Sequence, residues 1–475
     1  MAEIGNDVFF STIRELNTRL TSKEMSAVEL ARACANRLVQ LGPRYNALAL
    51  PLLQQALRKA EDVDKDLKRG RTRGPLQGIP YGAKDLLSFA GQPTTWGAQP
   101  YAAQVFDYDA TVITKLGGVG AVIVGKLSTV ELAGGGGYRY ASASLQGPGR
   151  NPWDPTKWSG GSSSGPAAAV AAGLVPFAIG SETSGSIVTP ASYCGVTALR
   201  PTYGLVSRHG AMALSWTLDK LGPFARSAED CGLILQVIAG KDGNDPGSAG
   251  KSFYYTPQYG RPVKGMLAGY AAVDFGEWAE PAARPAFSTA LDVLRQTGLE
   301  MKETPLPDFP YGPVISTIIG AEEASIFEPL ITSGQVDQLA DPTQIAGLKA
   351  NLEIPATTYL KAMRVRRLMQ EAFEKLFGGV DVLVTPGRLG PATPIDQPLD
   401  QDRAGTAPAD RGLTSLIPAG NLAGLPALVL PCGFAGNLPV ALQIVGPPFS
   451  ENVLLAIGRE FQSRTDWHRR RPPGI

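Results

Sequence analysis

Apolar positions along the chain follow two spacings, one typical of helices and one typical of buried strands. Ser26-Ala-Val-Glu29 has the spacing of a helix-capping box and precedes apolar residues at helical intervals, which predicts a helix there. A second helix is predicted over residues 52–68, where the apolar residues fall on one face. Other helical patterns begin at Ser227 and cover residues 281–296, 357–377 and 451–462.

Short, continuous apolar runs alternate with these helices. They occupy residues 79–84, 121–124, 177–180, 381–384, 427–430 and 440–445. Runs of this length and composition suit strands that are buried on both faces. The alternation therefore predicts an α/β fold, with a sheet core between layers of helices.

The predicted strands after residue 378 return to the same sheet as those before residue 240, which favours one domain over residues 1–475. We divide it into N-terminal helices (1–70), a motif-rich core (71–240), a variable segment (245–375) and a C-terminal return to the core sheet (378–465).

Composition excludes several classes of partner. Lys and Arg number 44 and Asp and Glu number 43, so no basic field is available to attract nucleic acid. No apolar run reaches the roughly 18 residues of a membrane span, and the N-terminus lacks a signal-peptide pattern, so we expect a cytoplasmic protein. The four cysteines form no CxxC motif, which predicts buried thiols and neither zinc nor disulfides.

Candidate chemistry is concentrated in two loops rich in glycine and serine. Ser162 lies in Gly160-Gly-Ser-Ser-Ser-Gly165, and Ser186 lies in a turn beside Gly185. The chain has only two histidines, His209 in a predicted turn and His468 in a C-terminal tail expected to be mobile, so a serine nucleophile needs another base.

Lys84, at the end of a predicted strand, is the candidate base. Free lysine titrates near ~10.4, and burial lowers that pKa toward the range in which a base works. Neutral Lys84 would take a proton from Ser162, which takes one from Ser186, and Ser186 attacks an acyl carbon. Consecutive backbone N–H groups in the Ser186 turn can point at one oxyanion.

These loops resemble the amidase signature family. The two serines stand 24 residues apart, as in that family, and Gly78-Ile-Pro80 with Lys84-Asp85 is similar to its lysine strand. Other blocks match in order: Gly120–Lys126 with Glu131, Arg150–Asp154, Arg200–Gly204, Leu218-Asp219 with Gly222-Pro223, Asn421–Pro426, Gly436–Pro439 and Gln443–Gly446.

The resemblance implies a role for each site residue. Ser186 is the nucleophile, Ser162 is the bridging serine after a cis peptide bond, and Lys84 is the base. The backbone amides of Thr183, Ser184, Gly185 and Ser186 form the oxyanion hole. The implied fold is a single α/β/α domain around a large, twisted, mixed sheet.

The chain departs from the family pattern at a few positions. Ser164 and Ser184 stand where glycine is usual in the family, and Val188 occupies a place often held by Arg. Trp216 stands near positions where the family usually has small residues. The last two make a polar, glutamine-like pocket unfavourable. We expect pocket walls from residues 131–148, 205–217 and 310–370.

Two other motifs compete. Gly161-Ser-Ser-Ser-Gly165 satisfies the G-x-S-x-G elbow with Ser163 as nucleophile, but it needs a histidine base and a preceding strand, and residues 151–157 hold two prolines. Gly120–Leu127 nearly matches a phosphate loop, but Leu127 replaces the Ser or Thr.

We therefore predict a stand-alone serine amidase for small or aryl amides, with carbamates (urethanes) and esters as further substrates. It uses no cofactor and no metal, acts as a monomer or homodimer, and has no nucleic-acid or membrane partner. One alternative is the glutaminase subunit of a tRNA-dependent amidotransferase, whose Asp seven residues before the Asn421 block is Thr414 here. The other is a catalytically silent binding protein on the same scaffold.

Overall fold

The computed structural model describes residues 4–257, 262–399 and 412–475. The helices of this part of the chain are α1 Ile13–Thr21, α2 Ala27–Leu41, α3 Leu53–Lys68, α4 Thr111–Gly118, α5 Ser164–Ala171, α6 Val188–Cys194, α7 Ala228–Ile238, α8 Arg284–Gln296, α9 Tyr311–Thr332, α10 Pro342–Asn351, α11 Ala356–Leu376, α12 Leu416–Ala423 and α13 Glu451–Ser463.

The strands are β1 Leu48–Pro51, β2 Pro80–Lys84, β3 Val122–Leu127, β4 Arg150–Asn151, β5 Asp154–Trp158, β6 Phe177–Glu182, β7 Thr197–Arg200, β8 Lys220–Ala225, β9 Leu267–Tyr270, β10 Glu300–Glu303, β11 Val382–Pro386, β12 Ala427–Ala435 and β13 Leu438–Val445. Among the described residues, eleven of them form one sheet in the order β1-β3-β2-β6-β8-β7-β12-β13-β11-β9-β10.

The sheet is mixed and helices cover it, which confirms the predicted fold class. β2 pairs in parallel with both β3 and β6, whereas β6 pairs antiparallel with β8. Every residue of β2, β3, β6 and β8 is buried, because helices cover both faces of the sheet here. The carboxyl ends of β2 and β6 meet at one edge of this buried centre.

The predicted capping box begins α2. The Ser26 hydroxyl accepts a hydrogen bond from the Glu29 amide at 3.1 Å, and the Glu29 carboxylate accepts one from the Ser26 amide at 2.9 Å. Each bond satisfies an amide that the helix itself leaves unpaired. The other predicted helices and strands also form, with ends that differ by up to five residues.

The alanine-rich helix α5 lies directly on the sheet and is buried on every side. Its small residues permit this close approach: a Cβ added at Gly165 would lie 2.5 Å from the backbone nitrogen of Ser128. Because α5 begins at Ser164, this packing fixes the preceding serines above the carboxyl ends of β2 and β6.

Three regions differ from the sequence expectations. Residues 245–375 contribute β9 and β10 to the edge of the main sheet, outside the strands that the sequence predicts. The proline-containing segment before the Ser162 loop does form a strand, β5, which pairs with β4 outside the main sheet and bridges Pro394 through Lys157. Pro155 takes part in neither pairing, so its missing amide costs no ladder hydrogen bond.

The C-terminal tail is the third difference. His468 is buried rather than solvated, and burial lowers its pKa to about 4, so the ring is neutral at pH 7.

All four cysteines are buried free thiols, as predicted. In the described ranges, every helix is too short or too polar to cross a membrane.

Candidate active site

Lys84 is completely buried at the carboxyl end of β2. Its Nζ donates hydrogen bonds to the Ser162 Oγ at 2.7 Å and to the Ser181 Oγ at 2.9 Å. Burial lowers the pKa of Lys84 to about 7, while the negative charges of Asp219 and Glu182 act in the opposite direction. Desolvation disfavours the ammonium form, so a large fraction of Lys84 is the free amine at neutral pH.

In the loop that holds Ser162, the peptide bond between Gly161 and Ser162 is cis. The Ser162 side chain is fully buried, and its backbone carbonyl accepts a hydrogen bond from the Val130 amide at 3.1 Å. The next residue, Ser163, donates its amide to the Ser186 carbonyl at 3.3 Å. This contact brings the two serine loops against each other.

The Ser186 turn connects β6 to α6. Among the described residues, no oxygen atom accepts a hydrogen bond from the amides of Ser184, Gly185 or Ser186. The amides that follow, those of Ile187 and Val188, donate instead to the Glu182 carboxylate at 2.8 and 2.9 Å. The turn therefore keeps several backbone donors for a ligand at Ser186.

Two adjoining cavities meet at this turn. The first, which we call the serine cavity, has a volume of about 310 Å³ and is lined by Ser184, Ser186, Thr189, Tyr138 and Arg388, among others. The second, the tryptophan cavity, has a volume of about 490 Å³. Ala133, Thr183 and Leu214 line both, so one ligand can occupy the two cavities together.

The tryptophan cavity is largely apolar. Its walls include Leu86, Met212, Leu214, Leu221 and the indole of Trp216, which is 44% exposed. Its charged side chains already have partners within the protein. The Arg208 guanidinium forms an ion pair with the Asp245 carboxylate at 2.6 Å. The Asp219 carboxylate accepts hydrogen bonds from the Leu214 and Ser215 amides at 2.8 and 3.0 Å.

The structure brings Lys84 and Ser162 into direct contact and places the Ser186 turn beside them. All three segments predicted to form pocket walls contribute lining residues, for example Tyr138, Leu214 and Ile319. Neither histidine hydrogen-bonds a serine of this site: His209 lines the tryptophan cavity and stacks on Tyr108, with ring centres 5.6 Å apart.

Sequence reasoning missed several residues of the site. Ser181 is the second hydrogen-bond acceptor for Lys84. It lies near the carboxyl end of β6, the parallel neighbour of the strand that carries Lys84, and this position could have predicted the contact. Glu182 and Arg388 are also absent from the sequence predictions. The competing nucleophile, Ser163, is fully buried, and its hydroxyl donates to the Ser181 carbonyl at 3.1 Å.

The phosphate-loop candidate is a strand: β3 runs from Val122 to Leu127 and is buried along its length, so its amides pair within the sheet. Within the described ranges, no group of three or more His, Cys, Asp or Glu side chains is placed to hold a metal ion.

A family model described as Amidase matches residues 29–455 of the chain. The chain belongs to the amidase signature family. This agrees with the motifs around Lys84, Ser162 and Ser186, and it identifies the fold as that of enzymes acting on C–N bonds.

Individual members of the amidase signature family also resemble the chain. It is 37% identical to the A subunit of a glutamyl-tRNA(Gln) amidotransferase from Chloroflexus aggregans, with 98% of this chain and 99% of the relative aligned. Among solved structures, the native peptide amidase from Stenotrophomonas maltophilia is 30% identical, with a TM-score of 0.84 and 98% of each chain covered.

The A subunit of a glutamyl-tRNA(Gln) amidotransferase from Thermotoga maritima is also similar, at 28% identity and a TM-score of 0.78. The comparison covers 98% of this chain and 97% of that one. Family membership therefore leaves two kinds of relative: an amidase and one component of an amidotransferase.

Proposed function

We propose that this amidase family member is a serine hydrolase that cleaves the C–N bond of small amides through an acyl-enzyme on Ser186. The observation that supports this most is the 2.7 Å hydrogen bond from Lys84 Nζ to Ser162 Oγ at a buried position next to the Ser186 turn. Burial holds the pKa of Lys84 near the pH at which a general base is effective, about 7.

The proposed reaction begins with proton transfer. Neutral Lys84 takes the proton of Ser162 Oγ, Ser162 takes the proton of Ser186 Oγ, and Ser186 Oγ bonds to the acyl carbon. The carbonyl π electrons move onto its oxygen, which receives hydrogen bonds from the backbone amides of Thr183, Ser184, Gly185 and Ser186. The last three amides have no acceptor among the described residues, which supports this assignment.

The relay then runs in reverse. Ser162 gives a proton to the amide nitrogen and regains one from Lys84, the C–N bond breaks with its electron pair on nitrogen, and the amine departs. Water, deprotonated through the same relay, attacks the acyl carbon, and Ser186 Oγ leaves with a proton. Carbamates and esters pass through the same type of tetrahedral intermediate, so they are further candidate substrates.

The tryptophan cavity supports a substrate with an apolar or aryl group. Its exposed indole and its leucine and methionine walls favour burial of a hydrocarbon surface, at about 25 cal/mol per Å². Its Arg208 and Asp245 are already paired with each other. A stand-alone amidase of aryl or alkyl amides is the function that this geometry favours.

The second candidate is the glutaminase component of a tRNA-dependent amidotransferase, which requires partner chains. The sequence relatives support it, since the chain aligns over 98% of its length, at 37% identity, with one such amidotransferase component. Two features oppose it: Thr414 stands where those components carry Asp, and the tryptophan cavity is apolar.

Labelling with a fluorophosphonate, followed by peptide mass spectrometry, tests the shared mechanism. We expect one adduct, on Ser186, that is absent from the Ser186→Ala variant. An adduct on Ser163 instead would favour the nucleophile elbow, and the absence of any adduct on the folded chain would favour a silent scaffold.

A second measurement separates the two candidates. The purified chain alone should hydrolyse 4-nitroanilides of short fatty acids and should leave L-glutamine intact. Glutamine hydrolysis that appears only after partner chains are added would assign the chain to the amidotransferase class.

A further inference from the structure

The serine cavity contains one charged side chain among its described lining residues, the guanidinium of Arg388. Arg388 is partly buried, and no carboxylate of a described residue lies within 4.0 Å of it. Its ring neighbour is Tyr193, whose ring centre lies 6.0 Å from the guanidinium carbon. A cation that the described carboxylates leave without a counter-ion attracts an anionic ligand group.

The charge of Arg388 contrasts with that of Arg208 in the adjoining tryptophan cavity. Arg208 donates to both carboxylate oxygens of Asp245, at 2.6 and 3.0 Å, and is therefore neutralised within the protein. The two cavities consequently differ in what they recognise. The serine cavity presents a positive charge that no described carboxylate neutralises, and the tryptophan cavity presents an apolar surface.

Arg388 is also held in place by the element that follows the nucleophile turn. It lies two residues after β11, and a Cβ added at the preceding Gly387 would lie 2.3 Å from the Ser192 Oγ on α6. Since α6 begins two residues after Ser186, the backbone that carries Arg388 packs directly on the helix that carries Tyr193 and Thr189. This packing gives Arg388 a defined position relative to Ser186.

The geometry points to Arg388 as a specificity-determining residue that binds a carboxylate on the acyl half of the substrate. This inference rests on the proposed function, in which the acyl group stays bonded to Ser186 in the serine cavity after the amine has left. The substrate class is then an amide of a dicarboxylic acid, with the free carboxylate at Arg388 and an apolar amine in the tryptophan cavity.

Two matched substrates test this: the 4-nitroanilides of succinic acid and of butyric acid, which differ by a carboxylate in place of a methyl group. We expect the wild type to show a higher kcat/KM for the succinyl compound. Arg388→Gln should lower the succinyl-to-butyryl ratio of kcat/KM at least tenfold, and Arg388→Lys should restore part of it. The control is Arg367→Gln on α11, which removes an exposed ion pair with Glu371 and should leave the ratio unchanged.

Equal kcat/KM values of the wild type for the two compounds, or an unchanged ratio in Arg388→Gln, would overturn the inference. A binding measurement makes the test independent of turnover. In the Ser186→Ala background, calorimetry should show tighter binding of succinamate than of butyramide, and Arg388→Gln should remove the difference. If the wild type cleaves neither anilide while succinamate binds through Arg388, the proposed function fails and carboxylate binding by Arg388 is supported on its own.

Discussion

Glu182 and Arg200 form an ion pair that is completely buried beneath the Ser186 turn, with Oε1 and Nη1 2.7 Å apart. Burial alone would raise the pKa of Glu182, but the Arg200 charge and hydrogen bonds from Arg200, Asn421 and Val188 outweigh it and hold the pKa at about 2. One carboxylate thus connects β6, β7 and the start of α6. It fixes the turn that contains Ser186 from below.

Replacing Glu182 by Gln should therefore destabilise the protein strongly. The change leaves the Arg200 guanidinium buried without its counter-ion, which costs about 3–5 kcal/mol in comparable cases. Urea unfolding measures this free energy. The control is Glu371→Gln, which removes an exposed pair with Arg367 and should cost less than about 0.5 kcal/mol. Similar losses for the two variants would contradict a structural role for the buried pair.

In the proposed mechanism, Lys84 sets the pH dependence of the reaction. Burial lowers its pKa to about 7, and only the free amine can accept a proton from Ser162. The value of kcat/KM should therefore rise about tenfold per pH unit below pH 6 and reach a plateau above pH 8. A profile from pH 5 to pH 10 with a neutral anilide measures this, and an optimum near pH 5 would exclude lysine as the base.

The Lys84→Ala variant completes that experiment. Its kcat should fall by several orders of magnitude, and its residual rate should lose the rise through pH 7, since no other general base contacts Ser162 among the described residues. Thermal unfolding establishes that the variant is folded. Full activity in a folded Lys84→Ala protein would be incompatible with the proposed mechanism.

We expect Ser181 to position Lys84 rather than to react itself. Its Oγ accepts a hydrogen bond from Nζ at 2.9 Å, in addition to the one that Ser162 Oγ accepts at 2.7 Å. Ser181→Ala should lower kcat about 10- to 100-fold with little change in KM, because the amine loses one of the two contacts that orient it. Thr297→Val, which removes a buried hydroxyl that donates to the Leu294 carbonyl outside both cavities, serves as the control. A changed KM with an unchanged kcat would assign Ser181 to substrate binding.

The sequence predicts those parts of the site that depend on local motifs. The capping box at Ser26, the alanine-rich α5 and the strand that ends at Lys84 are each encoded within a few neighbouring residues. The contact between Lys84 and Ser162 follows from the chemistry that the two residues would perform together. The geometry agrees with that inference at 2.7 Å.

The residues that were missed depend on packing between distant segments. Arg388 reaches the serine cavity only because Gly387 packs on α6, about 195 residues earlier in the chain. β10 has no apolar pattern: three of its four residues are exposed glutamates or lysine, so pairing with β9 and not hydrophobic periodicity defines it. Long-range register of this kind leaves no trace in a single sequence.

Trp216 should determine affinity for an aryl group. Its backbone carbonyl accepts hydrogen bonds from the Tyr203 hydroxyl and from Arg208, which hold the backbone of Trp216 in place, and its indole lines the tryptophan cavity. Trp216→Ala should raise KM for an aryl amide about 3- to 10-fold, the effect of losing an aromatic contact worth about 0.5–1.5 kcal/mol, and should raise it less for an alkyl amide. Tyr254→Ala, at a 71% exposed site outside both cavities, is the control. Equal changes for the two amides would exclude aromatic recognition by Trp216.

Glu323 connects α9 to the loop that borders the serine cavity. Its Oε1 accepts hydrogen bonds from the Gly136 amide at 2.8 Å and from Asn351 at 2.6 Å, and its Oε2 is buried without a partner among the described residues. Burial raises the pKa of Glu323 to about 8, so the carboxyl is largely protonated at neutral pH.

The raised pKa predicts how stability depends on pH. Below about pH 4.5 the Glu323 carboxyl is protonated in both the folded and the unfolded states. Between that pH and about 8, only the folded state retains the proton. The free energy of unfolding therefore falls as the pH rises through this range. Glu323→Gln cannot ionise and mimics the protonated carboxyl. It should match the wild type in urea unfolding at pH 5 and exceed it at pH 9. A difference in unfolding free energy that is the same at both pH values would show that Glu323 is already ionised in the native protein at pH 5.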